Sequence, residues 1–94
     1  MENAVYLKLV QEGYSVSVGV LGDREIDFVA TRGDECVYVQ AATSVADEST
    51  RTREFGNLLR ISDNHPKFVV SLDPIRADEK GIRHLGLREF LLMT

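Results

Sequence analysis

Residues 25–42 read EIDFVATRGDECVYVQAA, two runs rich in valine, isoleucine, phenylalanine and tyrosine on either side of Arg32-Gly33-Asp34. Branched and aromatic side chains favour extended backbone, and a glycine-aspartate pair supplies the reversal between antiparallel strands. The stretch therefore predicts strands over residues 25–31 and 35–42. Upstream, valines at 16, 18 and 20 alternate through residues 15–20 and predict a further strand, set off by turn chemistry at Leu21-Gly22-Asp23-Arg24. The three runs read as a meander. Before them, Val5 with Leu9 and Tyr6 with Leu9 and Val10 fall at spacings of three and four over residues 2–12, which stacks side chains on one helix face, and Gly13 follows as a C-cap.

Downstream of the meander, a run of Ser, Thr, Asp and Glu offers a helix cap. Residues 50–61 then place Phe55, Leu58 and Leu59 on one helical face, with Arg51, Arg53 and Arg60 elsewhere on its surface. Asn64-His65-Pro66 breaks that helix. KFVVSL at 67–72 is nearly all apolar, as a strand buried on both faces would be, and Asp73-Pro74 ends it. Residues 82–85 add a short strand and 87–92 a closing helix. The expectation is one α/β domain of the α+β sandwich kind over residues 1–94, with core order αβββαβ. Its mixed sheet would have four strands, or five if 82–85 joins, and helices would flank it.

Composition bounds the function. Ninety-four residues at 44% apolar content close one core and leave no room for a second. One cysteine, Cys36, excludes an internal disulfide framework, and no apolar run is long enough for a signal peptide or a membrane helix. The expected setting is reducing and cytoplasmic, with no membrane partner. Residues 1–48 hold nine acids and three bases, a net −6, whereas 49–94 hold six acids and eight bases, a net +2. The acidic half repels phosphate, so autonomous tight nucleic-acid binding is disfavoured, and a local patch on the second half is the only room left for it. Phosphate-cradling glycine loops, a nucleophile elbow and a Cys/His pair are all absent. Met1 passes at once into the helical segment without a leader, so the chain reads as a piece of something longer.

The segments ENAVYLKLVQEGYSVSVG, GDREIDFVA, VYVQAATSVADESTRTREFGNLLRI and DNHPKFVVSLD, together spanning most of residues 2–92, resemble the C-terminal domain of unknown function that follows the ATP-binding module of many prokaryotic AAA+ ATPases. That domain is similar in turn to the PD-(D/E)XK, restriction endonuclease-like superfamily. The resemblance implies a mixed sheet and makes the parent's ATPase module a partner, so that nucleotide binding lies outside these residues and the cofactor expectation is none. Active members of the superfamily hold a divalent metal with an aspartate on the second strand and a Glu-x-Lys on the third, often helped by a glutamate on the first helix. Glu2 stands at the helix glutamate and Asp27 at the strand aspartate. Tyr38 stands where the second carboxylate belongs and Gln40 where the lysine belongs. Tyrosine is uncharged at neutral pH and glutamine supplies no cation, so the resemblance implies a degenerate site without catalysis.

Each of these residues also has a plain structural role open to it. Asp27, between Ile26 and Phe28, is expected to face away from both. Tyr38 suits cross-strand packing, Gln40 a backbone bond, and Glu2 the favourable first turn of a helix. Arg51 and Arg53 are the candidate phosphate contacts, but they neighbour Glu48 and Glu54 and equally suit weak surface pairs. His65 and His84 are isolated and expected on the surface, away from any metal. The leading expectation is a non-catalytic accessory, interaction or regulatory domain of a prokaryotic ATPase, with DNA binding left open. Two alternatives stay open beside it. One is a Mg²⁺-dependent nuclease with a rearranged site built from Glu2, Asp27 and Asp47 or Glu48. The other is a homodimeric assembly domain using the apolar tail 85–93 or a bare strand edge.

Overall fold

Where the chain can reverse decides how its strands pair. A computed structural model describes residues 1–21, 24–74 and 78–93. Helix α1 (Glu2–Gln11) stops at Gly13, whose φ of +91° suits glycine best. The Gly13 N–H donates to the Val10 carbonyl and the Tyr14 N–H to that of Leu9, so the last carbonyls of the helix are satisfied as the chain leaves it. Strand β1 (Ser15–Leu21) follows, then β2 (Arg24–Arg32); Gly22 and Asp23, in the turn expected between them, lie outside the described residues. The β2 strand reverses through Gly33 (φ +60°) and Asp34 into β3 (Glu35–Ala41), with Arg32 opposite Glu35 and Phe28 opposite Val39.

The second half follows the expected order. Asp47 caps α2 (Glu48–Leu59) by accepting the Thr50 N–H at 3.2 Å. Next come β4 (Lys67–Ser71), β5 (Arg83–Gly86) and α3 (Leu87–Leu92). The five strands lie in the order β1-β2-β3-β4-β5, the first two pairings antiparallel and the last two parallel. The described residues thus form an α/β fold with a five-stranded mixed sheet and three helices, and the short run at 82–85 does join the sheet.

Both faces of that sheet are covered because its middle strands are apolar on both. Phe68 and Val70 of β4 pack with Ala30, Val39, Leu85, Val5 and Leu9 of α1, and Phe90 of α3. On the other face, Val69 packs with Ile26, Val45, Ile82, and Phe55 and Leu58 of α2. Two sequence readings need correction. Leu59, expected beside Phe55 and Leu58, is 40% exposed, and the inner wall of α2 is completed instead by Glu54 and Asn57. His84, expected on the surface, is buried and meets the Phe55 ring edge to face at 5.9 Å. Past the exposed Arg83, His84 and Leu85 lie in the covered part of β5, and Phe55 of α2 closes the face that His84 is on.

Between β1 and β2 the register slips. Ser17 lies opposite Val29, but Gly19 lies opposite Ile26, so β2 carries one extra residue at Asp27-Phe28, across from Val18. A Cβ on Gly19 would come within 2.5 Å of Val29 Cγ2 and 3.3 Å of Ile26 Cβ. Gly19→Ala should therefore destabilise the protein by about 1–3 kcal/mol in urea unfolding, as overpacking does. Gly56→Ala, in α2 where an added Cβ meets nothing within 4 Å, should instead add about 0.5–1 kcal/mol.

Candidate functional site

The extra residue in β2 decides where Asp27 points. In a regular strand Ile26 and Phe28 would share a face, but Ile26 packs under α2 while Phe28 packs on the α1 side. The expectation that Asp27 faces away from both neighbours assumed an unbroken alternation, and the bulge removes it. The Asp27 side chain turns across to β3 instead. Its Oδ2 accepts the Ala41 N–H at 2.8 Å, and its own N–H donates to Gln40 Oε1 at 2.6 Å. Beyond the Phe28–Val39 pair, these two side chains take over the bonding that main-chain groups make along the rest of the ladder. Gln40 is 1% exposed. The expected juxtaposition of Asp27 and Gln40 is therefore realised, as a strand-end clasp.

Tyr38, one pleat away on the α2 face, belongs to a different cluster. Its hydroxyl donates to Asp63 Oδ2 at 2.6 Å, Lys67 Nζ lies 5.4 Å from its ring centre, and the same ammonium bonds Asp63 Oδ1 at 3.0 Å. Giving its proton to Asp63, along with burial, raises the Tyr38 pKa. Burial works against the Asp63 carboxylate, but the Tyr38 hydroxyl, the His65 N–H and Lys67 outweigh it and bring its pKa down to about 2. Tyr38 thus stays protonated and neutral throughout the physiological range, tied to the loop after α2.

A carboxylate that feels the charge of Asp27 comes from α2. Glu54, 8% exposed, has its pKa raised, first by burial and then by the negative charges of Asp27 and, more weakly, Glu2; only Arg53, bonded to Oε1 at 3.2 Å, opposes the shift. The sequence reading missed Glu54 because it treated that residue as a surface charge beside Arg53. The signal was available: Glu54 precedes Leu58 by four residues and adjoins Phe55, so it lies within the apolar stripe of the helix. Glu2 is exposed in the first turn of α1. Asp47 bonds Ser49 and Thr50 as the cap of α2, and neither it nor the exposed Glu48 is drawn to Asp27. Among the described residues no three His, Cys, Asp or Glu side chains are grouped to hold a metal ion. Arg51 lies 3.8 Å from Glu79 and over the Phe55 ring, and Arg53 is held by Glu54, so both candidate phosphate contacts have acidic neighbours.

A serine, a histidine and an aspartate do meet at the end of β4, but not as a nucleophilic triad. Ser71 is fully buried; its hydroxyl lies 2.8 Å from Asp73 Oδ2 and 2.7 Å from His84 Nε2. Hydrogen bonds from Ser44 and the Val45 N–H hold the Asp73 pKa down. An ionised Asp73 only accepts, so Ser71 gives it the single hydroxyl proton and His84 Nε2 must donate to the serine oxygen. That order is the reverse of a serine activated by a histidine base, and the cluster reads as a tie between the ends of β4 and β5 and the 43–45 loop.

The two kinds of carboxylate respond oppositely to acid. Asp63 and Asp73, whose pKa values are lowered, stabilise the fold at neutral pH, and this is lost as the pH falls through those lowered values. Glu54, whose pKa is raised, carries a penalty at neutral pH that vanishes as the pH falls through its raised value. Glu54→Gln should accordingly raise Tm at pH 7, and the gain should shrink toward zero as the wild-type Glu54 protonates. Asp73→Asn should lower Tm at pH 7, with the deficit closing at the acid end. Thermal unfolding across pH 3–8, about the span of ordinary carboxylate and histidine titration, reads both.

No protein-family model matches the chain. The chain is similar to a protein of Haemophilus influenzae described as an uncharacterized protein, at 44% identity over 71 residues, which cover 76% of this chain and 17% of that relative. The chain thus spans less than a fifth of the length of the curated relative it matches.

Proposed function

We propose that this chain is a nuclease-shaped accessory domain of a larger prokaryotic ATPase that has lost catalysis and serves interaction or regulation. The observation that carries the reading is the clasp at the end of β2 and β3. The two positions from which a metal-dependent nuclease would present its second carboxylate and its lysine hold Tyr38 and Gln40, and Gln40 Oε1 accepts the backbone N–H of Asp27. Asp27 Oδ2 accepts the Ala41 N–H. A hard divalent ion wants several carboxylate oxygens and a nearby cation to steady the attacking water; an amide and a phenol supply neither. The element order and the mixed sheet are compatible with the superfamily, and the match to a small part of a much longer relative suits a domain that works beside another.

One observation favours a second reading. Glu54 lies within the field of Asp27, so a rearranged nuclease would draw its second carboxylate from α2 and not from β3. Asp27 and Glu54 are two donors, and Glu54 is already bonded by Arg53; this set is short of what Mg²⁺ needs.

Labelled single-stranded, duplex and branched DNA, incubated with the purified chain and Mg²⁺ or Mn²⁺, separates the two readings. Wild type, Asp27→Ala and Glu54→Gln should all leave the substrates intact. Cleavage by wild type that Asp27→Ala and Glu54→Gln both abolish, in variants shown to be folded, would overturn the proposal in favour of the rearranged site.

A further inference from the structure

Strand β1 forms one margin of the sheet, and no described strand pairs with its outer edge. Proteins guard such edges with charges, proline, bulges or brevity. Strand β1 has none of these: its seven residues, SVSVGVL, contain no charge and no proline, and the bulge beside it lies in β2. The opposite margin is guarded, since β5 has only four residues and carries Arg83.

The flank of α1 above this margin is apolar too. At 100° per residue, Val5 and Leu9 point into the core, and Lys8 points toward α3, where its ammonium bonds the Met93 carbonyl. Tyr6 and Val10 therefore lie on the flank away from α3, over the β1 side. Tyr6 packs on Phe28 at 6.4 Å between ring centres, and Val18, opposite the bulge that contains Phe28, lies on the same face. Tyr6, Val10 and Val18 are 43%, 45% and 63% exposed.

We propose that this margin is the dimer interface of the protein, with β1 pairing antiparallel to β1 of a second copy about a two-fold axis at Val18. An antiparallel edge is self-complementary under such an axis. The register sets Ser15 opposite Leu21 and Ser17 opposite Gly19, so the seam meets no charge even though each chain is net −4. The size fits a modest closed dimer. Seven residues make an edge about 23 Å long, and the flank of α1, a helix about 10 Å across, adds to its depth, so the pair falls at the small end of specific interfaces, about 1,000 Å² total. The C-terminal segment is less suited, because Leu85 and Phe90 are consumed by the core and only Leu91 and Leu92 stand out.

Sedimentation velocity of the 94-residue chain from about 1 to about 300 µM, a span that brackets a micromolar Kd, tests the assignment alongside the variants Val18→Lys and Leu92→Lys. Wild type and Leu92→Lys should shift from monomer to dimer over that range, while Val18→Lys should stay monomeric with an unchanged circular dichroism spectrum. Amide exchange in β1 of the wild type should slow several-fold across the same concentrations. If Val18→Lys fails to fold, Ser17→Lys on the other face of the same edge replaces it with the same expectation. A wild type that remains monomeric, a lysine edge variant that still dimerises, loss of dimer only in Leu92→Lys, or open-ended growth beyond a dimer would each overturn it.

Discussion

A sheet whose middle strands have no polar face must be roofed on both sides, and that requirement organises this molecule. Phe68, Val69 and Val70 follow one another along β4 and point alternately to opposite faces, all buried. Neither face can be left to water, because each of these side chains loses about 1.5–3 kcal/mol if returned to solvent. With three helices available, α1 and α3 take one face and α2 the other. The position of α2 in turn fixes what stands over the sheet beside Asp27, which is how a packing constraint comes to place Glu54 in the field of that aspartate.

The clasp between Asp27 and Gln40 puts both side chains to architectural use. The bulge in β2 rotates Asp27 out of the regular ladder, and the strands there are joined by a carboxylate and an amide in place of main-chain groups. An amide is suited to that task, since it offers an acceptor without a charge to desolvate. A lysine at the same buried position would bring an ammonium and no acceptor for the Asp27 N–H. The amide at position 40 thus completes the strand end, a task a lysine there could not perform.

Much of this was legible in the chain. The valine alternation, the Gly33 turn, the Ser/Thr/Asp/Glu run before α2 and the KFVVSL run each mark an element that the structure contains, because each is decided by local chemistry. The juxtaposition of Asp27 with Gln40 was legible as well, since a two-residue turn fixes the register of a hairpin. What escaped were features set by tertiary packing. The bulge depends on how β1 meets β2, and no single residue announces it. Glu54 was hidden by its neighbour Arg53, which looks like a surface partner until the helix is laid against the sheet. His84 was misplaced because a four-residue strand shows too little periodicity to reveal that both of its faces are covered.

The parallel pairing of β3 with β4 also bears on how the chain reaches this state. The first three strands are neighbours in sequence and can find one another through short reversals, whereas β4 meets β3 only after residues 42–66, with α2 among them, have looped back. Loop entropy is paid before any of the contacts of β4 reward it. The meander is built from local reversals, whereas α2 and β4 close their apolar faces on it, and on each other, only across that longer loop.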